Sequence, residues 1–241
     1  CISNRVADCE VVPFGCELIS NAIWKGASLA DVLAYAEGLT ASAQGVAILG
    51  ADEFSSAIPP EAALDPETIL AYEMNGQPLP QRHGAPVRLL VPGRYGMKSA
   101  KWVVGIRPMS RPFLDWYGQR NWSQDGIVKT MSRIDVPAPG AQLAAGSQRI
   151  AGIAYAGDRG VAAVEYSADD GATWQTATLV EPQLGRDTWI RWQGAFDLPA
   201  GATIGLLCRA IDGAGRLQSG QYSTPDPDGA TGWRRIGVRG V

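Results

Sequence analysis

The chain has 241 residues, of which 46% are apolar and 19% charged. That globular balance excludes a largely disordered chain, and no stretch approaches the roughly 20 uncharged apolar residues that a membrane helix needs. The net charge is 21 − 24 = −3, which does not point to nucleic acid, and the single histidine, His83, excludes any multi-histidine metal site.

In chain order, three of the four cysteines come first: Cys1, Cys9 and Cys16, with Cys208 far downstream. Their spacing matches no CxxC zinc or redox motif. A Cys9–Cys16 disulfide fits an oxidising compartment. Cys1 itself has three open readings: an arbitrary chain end, the lipid-bearing first residue of a bacterial lipoprotein, or a thiolate ligand to a soft metal. Cys208 alternates with Leu206 and Ala210 on one strand face, the pattern of a buried core cysteine.

Ser28 precedes Leu29, Val32, Leu33 and Ala36 at helical spacing, with Asp31 in the first turn and Gly38 after the last. These signals predict a short amphipathic helix. Val46–Leu49 reads as a buried strand. Pro59-Pro60 opens a short helical piece over Glu61–Leu64, and Thr68–Met74 reads as a strand ending at the turn Asn75-Gly76. Val87–Val91 and Trp102–Ile106 are further strands bounded by Gly and Pro. Helical periodicity then disappears. Ile134-Asp-Val-Pro-Ala-Pro-Gly reads as a linker, followed by strands at 149–156, 161–167, 173–180, 188–196, 203–211 and 233–239. Ala168-Asp169-Asp170-Gly171 is a hairpin signal. Short strands with regular turns predict an immunoglobulin-like β-sandwich. The chain therefore divides into an α+β domain over 1–128 and an all-β domain over 129–241.

The net charge conceals a local anomaly. From Met74 to Leu114 there is no Asp or Glu, whereas Arg82, Arg88, Arg94, Lys98, Lys101, Arg107 and Arg111 fall there with His83 and the loop Pro92-Gly93-Arg94-Tyr95-Gly96. Guanidinium forks and glycine-opened amides suit an anionic ligand; a solvated basic face is the competing reading. Aromatic residues do not interleave with these cations as a nucleic-acid stacking platform requires, and no GxxxxGK[ST] phosphate loop occurs.

Several segments resemble a known family. Cys1-Ile-Ser-Asn4-Arg5, Ala22-Ile-Trp24-Lys-Gly26, Tyr72-Glu-Met-Asn-Gly-Gln-Pro-Leu-Pro80, Arg82-His83-Gly-Ala-Pro-Val-Arg88 and Val91-Pro-Gly-Arg-Tyr-Gly-Met-Lys-Ser-Ala-Lys101-Trp102 are similar to the molybdopterin-binding domain of the sulfite oxidase family. Val161–Trp174 and Cys208–Asp212 are similar to that family's immunoglobulin-like dimerisation domain.

The resemblance implies an oxidoreductase that performs oxygen-atom transfer on a small sulfur-containing substrate at a molybdenum–molybdopterin cofactor. It implies that Cys1 is the catalytic thiolate on molybdenum, and that Asp52, His83, Arg88 and Lys101 hold the pterin and its phosphate. Lys98 and Ser99 would offer backbone amides to that phosphate. A haem protein or quinone system would exchange electrons, and the second domain would support a homodimer. Gly126-Ile-Val-Lys-Thr-Met-Ser-Arg-Ile-Asp135 is similar to bacterial members with a membrane-embedded N-terminal part. The expectation is thus an extracytoplasmic, membrane-anchored protein whose molybdopterin domain is partial here.

Three positions depart from the sulfite-oxidising pattern. Val6 stands where the family places an arginine, Tyr222–Asp228 brings acids instead of another, and Gln119-Arg120-Asn121-Trp122 lacks the expected tyrosine. A sulfite dianion would lose charge compensation, which favours a neutral organic substrate such as a sulfoxide. Two further readings stand beside the enzyme: a lipidated surface module carrying an immunoglobulin-like binding domain, and a cofactor-free dimerising module that keeps the family fold.

Overall fold

The computed structural model describes residues 19–180, 184–185 and 187–241. The readings of Cys1, Asn4, Val6, Cys9 and Cys16 lie outside these residues. The described chain forms two compact units, Asn21–Ile127 and Val128–Val241. Among the described residues no helix is long and apolar enough to cross a membrane.

The first unit contains β1 (Trp24–Ser28), α1 (Leu29–Tyr35), β2 (Gly45–Gly50), β3 (Ser55–Ile58), α2 (Pro60–Ala63), β4 (Ile69–Met74), β5 (Gln77–Pro78), β6 (Arg88–Leu90) and β7 (Val103–Met109). Helix α1 begins where the side chain of Ser28 accepts from the Asp31 amide at 3.5 Å, a long contact at an N-cap position. Strand β4 is central to one sheet, paired antiparallel with β1, β5 and β6. Strand β2 is central to the other, between β3 and β7. Leu29 and Leu33 of α1 bury against Val46, Ile48, Ile58, Leu89 and Val91. This core fixes the ends of β2, β6 and β7, where the candidate site lies. Strands β1 and β3 were not expected; each is short, and β3 reads Ser-Ser-Ala-Ile without an apolar run.

The second unit is a sandwich. It contains β8 (Met131–Val136), β9 (Gln142–Leu143), β10 (Gly146–Tyr155), β11 (Val161–Ser167), β12 (Gln175–Thr176), β13 (Thr178–Leu179), β14 (Ile190–Leu198), β15 (Thr203–Asp212) and β16 (Arg234–Gly240). One sheet runs β13-β14-β10-β8 and the other β12-β11-β15-β16-β9. Ile134, Ile150, Trp192 and Phe196 from the first face Val164, Tyr166, Leu206, Cys208 and Val238 from the second in one core. Tyr166 stacks on Trp192 at 6.4 Å, and its hydroxyl donates to the Ala195 carbonyl at 2.9 Å.

Two expectations are corrected. The segment starting at Ile134 is no linker: Met131–Val136 is a strand paired with β10. The span 173–180 is not one strand, because β12 joins β11 whereas β13 joins β14. The chain there leaves one sheet for the other.

The hairpin signal after β11 is built around Asp169. Its carboxylate accepts from Ser167 Oγ at 2.7 Å and Thr173 Oγ1 at 2.6 Å, and these hydrogen bonds lower its pKa to about 2. Cys208 is fully buried, and burial pushes its thiol up to about 12. Alkylation mapped by mass spectrometry should therefore leave Cys208 unmodified in the native chain and modify it on denaturation. Trp192→Ala should cost this unit about 3–5 kcal/mol, measured by chemical denaturation.

Candidate functional site

Three predicted site residues, His83, Arg88 and Lys101, meet around Gly84. The chain turns there after the short 3₁₀ segment Gln81–His83, with Gly84 at φ 107°. A Cβ at Gly84 would sit 2.9 Å from Lys101 Cβ and 3.0 Å from Arg88 Cβ, so only glycine lets the two cationic residues approach this turn. Arg88 opens β6. Its guanidinium donates to the His83 carbonyl at 3.2 Å and the Ser99 carbonyl at 3.3 Å, and it lies 5.2 Å from the Trp24 ring. Lys101 Nζ donates to the Arg82 carbonyl at 3.2 Å and lies 4.2 Å from the Trp102 ring.

Trp102 joins these pieces. It has φ 51°, a strained conformation for a bulky side chain. Its amide donates to the Gly84 carbonyl at 3.3 Å, its carbonyl accepts from Ala51 at 2.9 Å, and its indole N–H donates to Gln81 at 2.8 Å. The β2–β3 turn carrying Asp52 is thereby tied to the His83–Gly84 turn. Asp52 is exposed, and its Oδ1 accepts from the Phe54 amide at 3.3 Å.

The cluster is cationic and uncompensated. Among the described residues, Arg82, Arg88 and Lys101 have no carboxylate partner; Arg88 and Lys101 contact carbonyl oxygens and rings, and Arg82 is exposed. Burial lowers the pKa of His83 below 6.5, and the positive charges of Arg82, Arg88 and Lys101 lower it further. Burial also lowers the pKa of Arg88. A half-buried guanidinium facing carbonyls and a ring but no carboxylate among the described residues, beside a histidine held towards its neutral form, is a fitted place for an anion. A phosphate-bearing cofactor matches this donor set.

Other predicted residues have different roles. Lys98 does not face a ligand: its side chain is 0% exposed and its Nζ lies 2.6 Å from Asp115 Oδ2, itself 1% exposed. The amides expected to meet a phosphate bond within the chain, Lys98 to Tyr95 at 2.8 Å and Ser99 to Gly96 at 3.1 Å. Ser99 Oγ accepts from Val91 at 3.2 Å, so Ser99 supports the cluster through its carbonyl to Arg88. Arg94 donates to the Asp125 carbonyl, while Arg107 and Arg111 are solvated. The basic stretch thus divides into one cluster, one buried pair and a solvated remainder.

Asp115 was missed, although it is the first acid after the acid-free stretch. Beside Lys98, it accepts from Ala57 at 3.1 Å and Gly118 at 2.8 Å. It therefore pins the segment that follows against β3. That segment places Trp116, Tyr117 and Trp122 beside Phe54, with neighbouring ring centroids 4.9–6.2 Å apart. The run Phe113–Trp122 carried the aromatic signal, but nothing local tied it to Asp52.

Residues 1–117 match the family model described as the oxidoreductase molybdopterin binding domain, and residues 126–224 match the Mo-co oxidoreductase dimerisation domain. The chain is 36% identical over 237 residues to mitochondrial sulfite oxidase of Homo sapiens, covering 83% of this chain and 42% of that protein. It is 33% identical over 247 residues to sulfite oxidase of Gallus gallus, covering 89% of this chain and 54% of that protein. Among solved structures, the sulfane dehydrogenase SoxCD from Paracoccus pantotrophus matches with a TM-score of 0.75 at 25% identity, over 91% of this chain and 60% of that one. This chain thus spans about half the length of the curated relatives it matches.

His83 is the chain's one histidine, so NMR can follow its imidazole without ambiguity. Its titration midpoint should fall below 6.5, and Arg82→Gln, Lys101→Met or added inorganic phosphate should each raise it. The sign follows because a nearby positive charge disfavours the imidazolium and an anion favours it. Asp115→Ala should destabilise the first unit by about 3–5 kcal/mol, since it strands a buried ammonium. Lys98→Met with Asp115→Leu should recover only part of that loss in urea unfolding, because the Ala57 and Gly118 amides still lack their acceptor.

Proposed function

We propose, since this chain belongs to the sulfite oxidase family of molybdopterin-dependent oxidoreductases, that the protein carrying it transfers an oxygen atom to or from a small sulfur compound. The observation that carries this reading is the uncompensated cation cluster around Gly84. Arg88, His83 and Lys101 would hold the anionic end of a molybdenum–molybdopterin cofactor, and Asp52 would accept a hydrogen bond from its pterin. Cys1 would be the thiolate on the metal. When bound, that cofactor supplies two-electron oxygen-atom chemistry.

The chain's own contribution is positioning. The strained Trp102 backbone keeps the Asp52 turn and the Gly84 turn in one register. The carbonyls of His83 and Ser99 fix the guanidinium plane of Arg88. His83, held towards its neutral form, would donate or accept a hydrogen bond without adding charge until an anion arrives.

Two balanced reactions fit this family. Oxidation of sulfite to sulfate takes an oxygen atom from water and releases two electrons and two protons. Reduction of a sulfoxide to a thioether takes up two electrons and two protons and releases water. Val6 and the acidic Tyr222–Asp228 segment support the second, because a neutral substrate needs no extra cations. A haem protein or quinone would exchange the electrons one at a time, and the Val128–Val241 unit would pair two copies. An extracytoplasmic, membrane-anchored setting follows the likeness of Gly126–Asp135 to bacterial members.

The test is molybdenum and pterin analysis of the full-length protein expressed with cofactor supply. Near-stoichiometric content is expected, falling at least about tenfold in Arg88→Ala, roughly the loss of one charged hydrogen-bonding group. A persistent absence of both overturns the proposal. Parallel assays with sulfite and with methyl phenyl sulfoxide then decide between the two reactions.

A further inference from the structure

We infer that Trp24 is a positioning residue of the anion cradle: its indole holds the Arg88 guanidinium in place and leaves that charge free for a phosphate-type anion. This rests on the reading of the cluster around Gly84 as an anion site, and it gives a role to the segment Trp24-Lys-Gly26.

The placement starts in the sheet. Ala71 of β4 pairs with Arg88 of β6 on one side and with Gly26 of β1 on the other. Residues paired directly across antiparallel strands share a face, so the row beside Arg88 carries only a methyl group and then no side chain. Gly26 is required there, because a Cβ would sit 2.4 Å from the Leu70 carbonyl oxygen and 2.8 Å from Ala71 Cα. Strand β1 therefore lies close against β4. Its register shifts between Lys25 and Gly26, an irregularity of the kind that re-aims a side chain. Lys25 pairs with Glu73 at 2.9 Å and ties β1 to β4 beside the indole. With no bulky side chain in the Arg88 row, the Trp24 ring lies 5.2 Å from Arg88 Cζ, within reach of a cation–π contact.

Charge explains why a ring stands here and not an acid. Lys25 and Arg209 each combine a ring with a carboxylate: Lys25 has Tyr72 and Glu73, and Arg209 has Trp174 and Glu165. Arg88 has its ring and the carbonyls of His83 and Ser99, but no carboxylate among the described residues. Arg120 also combines a ring with a carbonyl, yet it is exposed and water solvates it. Arg88 is half-buried, and burial disfavours its charge.

A carboxylate would offset that cost by occupying the guanidinium fork that an anion needs. The indole offsets part of it through its ring quadrupole and adds no net charge. It also removes motion. With two carbonyls and a ring fixing the guanidinium, an anion meets a side chain that is already ordered.

The test uses the full-length protein, with and without its cofactor. In cofactor-free protein, binding of inorganic phosphate is read by calorimetry. Trp24→Leu should weaken it about fivefold, the loss of one cation–π contact. Trp24→Phe keeps a ring and should stay within about twofold of the parent chain. In an Arg88→Met background Trp24→Leu should have no further effect, because it acts through the guanidinium; a merely structural tryptophan would weaken binding in both backgrounds. Trp24→Met serves with the same expectations where Trp24→Leu does not fold. In loaded protein, pterin should be lost faster on dialysis from Trp24→Leu than from Trp24→Phe. Phosphate that does not bind the parent chain overturns the anion reading and this role with it. Equal binding by the parent and Trp24→Leu, or an equal loss in the Arg88→Met background, overturns this role alone.

Discussion

A single ion pair fixes the geometry around the candidate site. Lys98 and Asp115 lie 2.6 Å apart, with side chains 0% and 1% exposed. Removing both from water costs several kcal/mol per ion, and only good geometry with extra hydrogen bonds offsets that. The chain supplies these: Asp115 also accepts from Ala57 and Gly118, and the Lys98 carbonyl accepts from Ser56 Oγ. The pair therefore clamps the loop before β7, strand β3 and the aromatic segment to one another. Hydrophobic contacts alone would let that exposed segment slide.

The cation cluster obeys a different logic. Among the described residues no carboxylate pairs with Arg82, Arg88 or Lys101; carbonyls and rings engage Arg88 and Lys101, and Arg82 is exposed to water. Such an arrangement is costly for the empty chain and favourable once an anion is present. The strained Trp102 and the glycine at 84 belong to the same trade: local conformational cost is accepted so that the turns meet.

Much of this was legible in the sequence, and the failures have physical causes. The Ser28 cap, the Asn75-Gly76 turn and the sandwich strands are local signals, and local signals survive folding. The acid-free stretch pointed to Arg88, Lys101 and His83, and the fold brings these three together around Gly84, because strand ends bounded by Gly and Pro place neighbouring loops together. Lys98 belonged to the same stretch, yet its partner lies outside it, and burial of a lysine cannot be read from charge. Strand β8 was hidden by the punctuation Pro137-Ala-Pro139 and by Ser132, a buried polar residue whose hydroxyl donates to Gln218 at 2.8 Å. That bond crosses 86 residues, beyond any pattern of alternation. The role of Cys1 rests on family likeness alone.

The order of strands in the second sheet has a consequence for how this unit is made. Strand β16 is the last in sequence, yet it lies inside its sheet, between β15 and β9. Its pairing with β9 is parallel, joining Gln142 to Arg239. Until residue 240 has left the ribosome, β15 presents an open edge and β9 has no neighbour among the described strands. The sandwich therefore cannot close progressively from its first strand during synthesis. Its completion is a late event that brings distant parts of the chain together, and the nascent unit exposes a pairing edge until translation has passed β16.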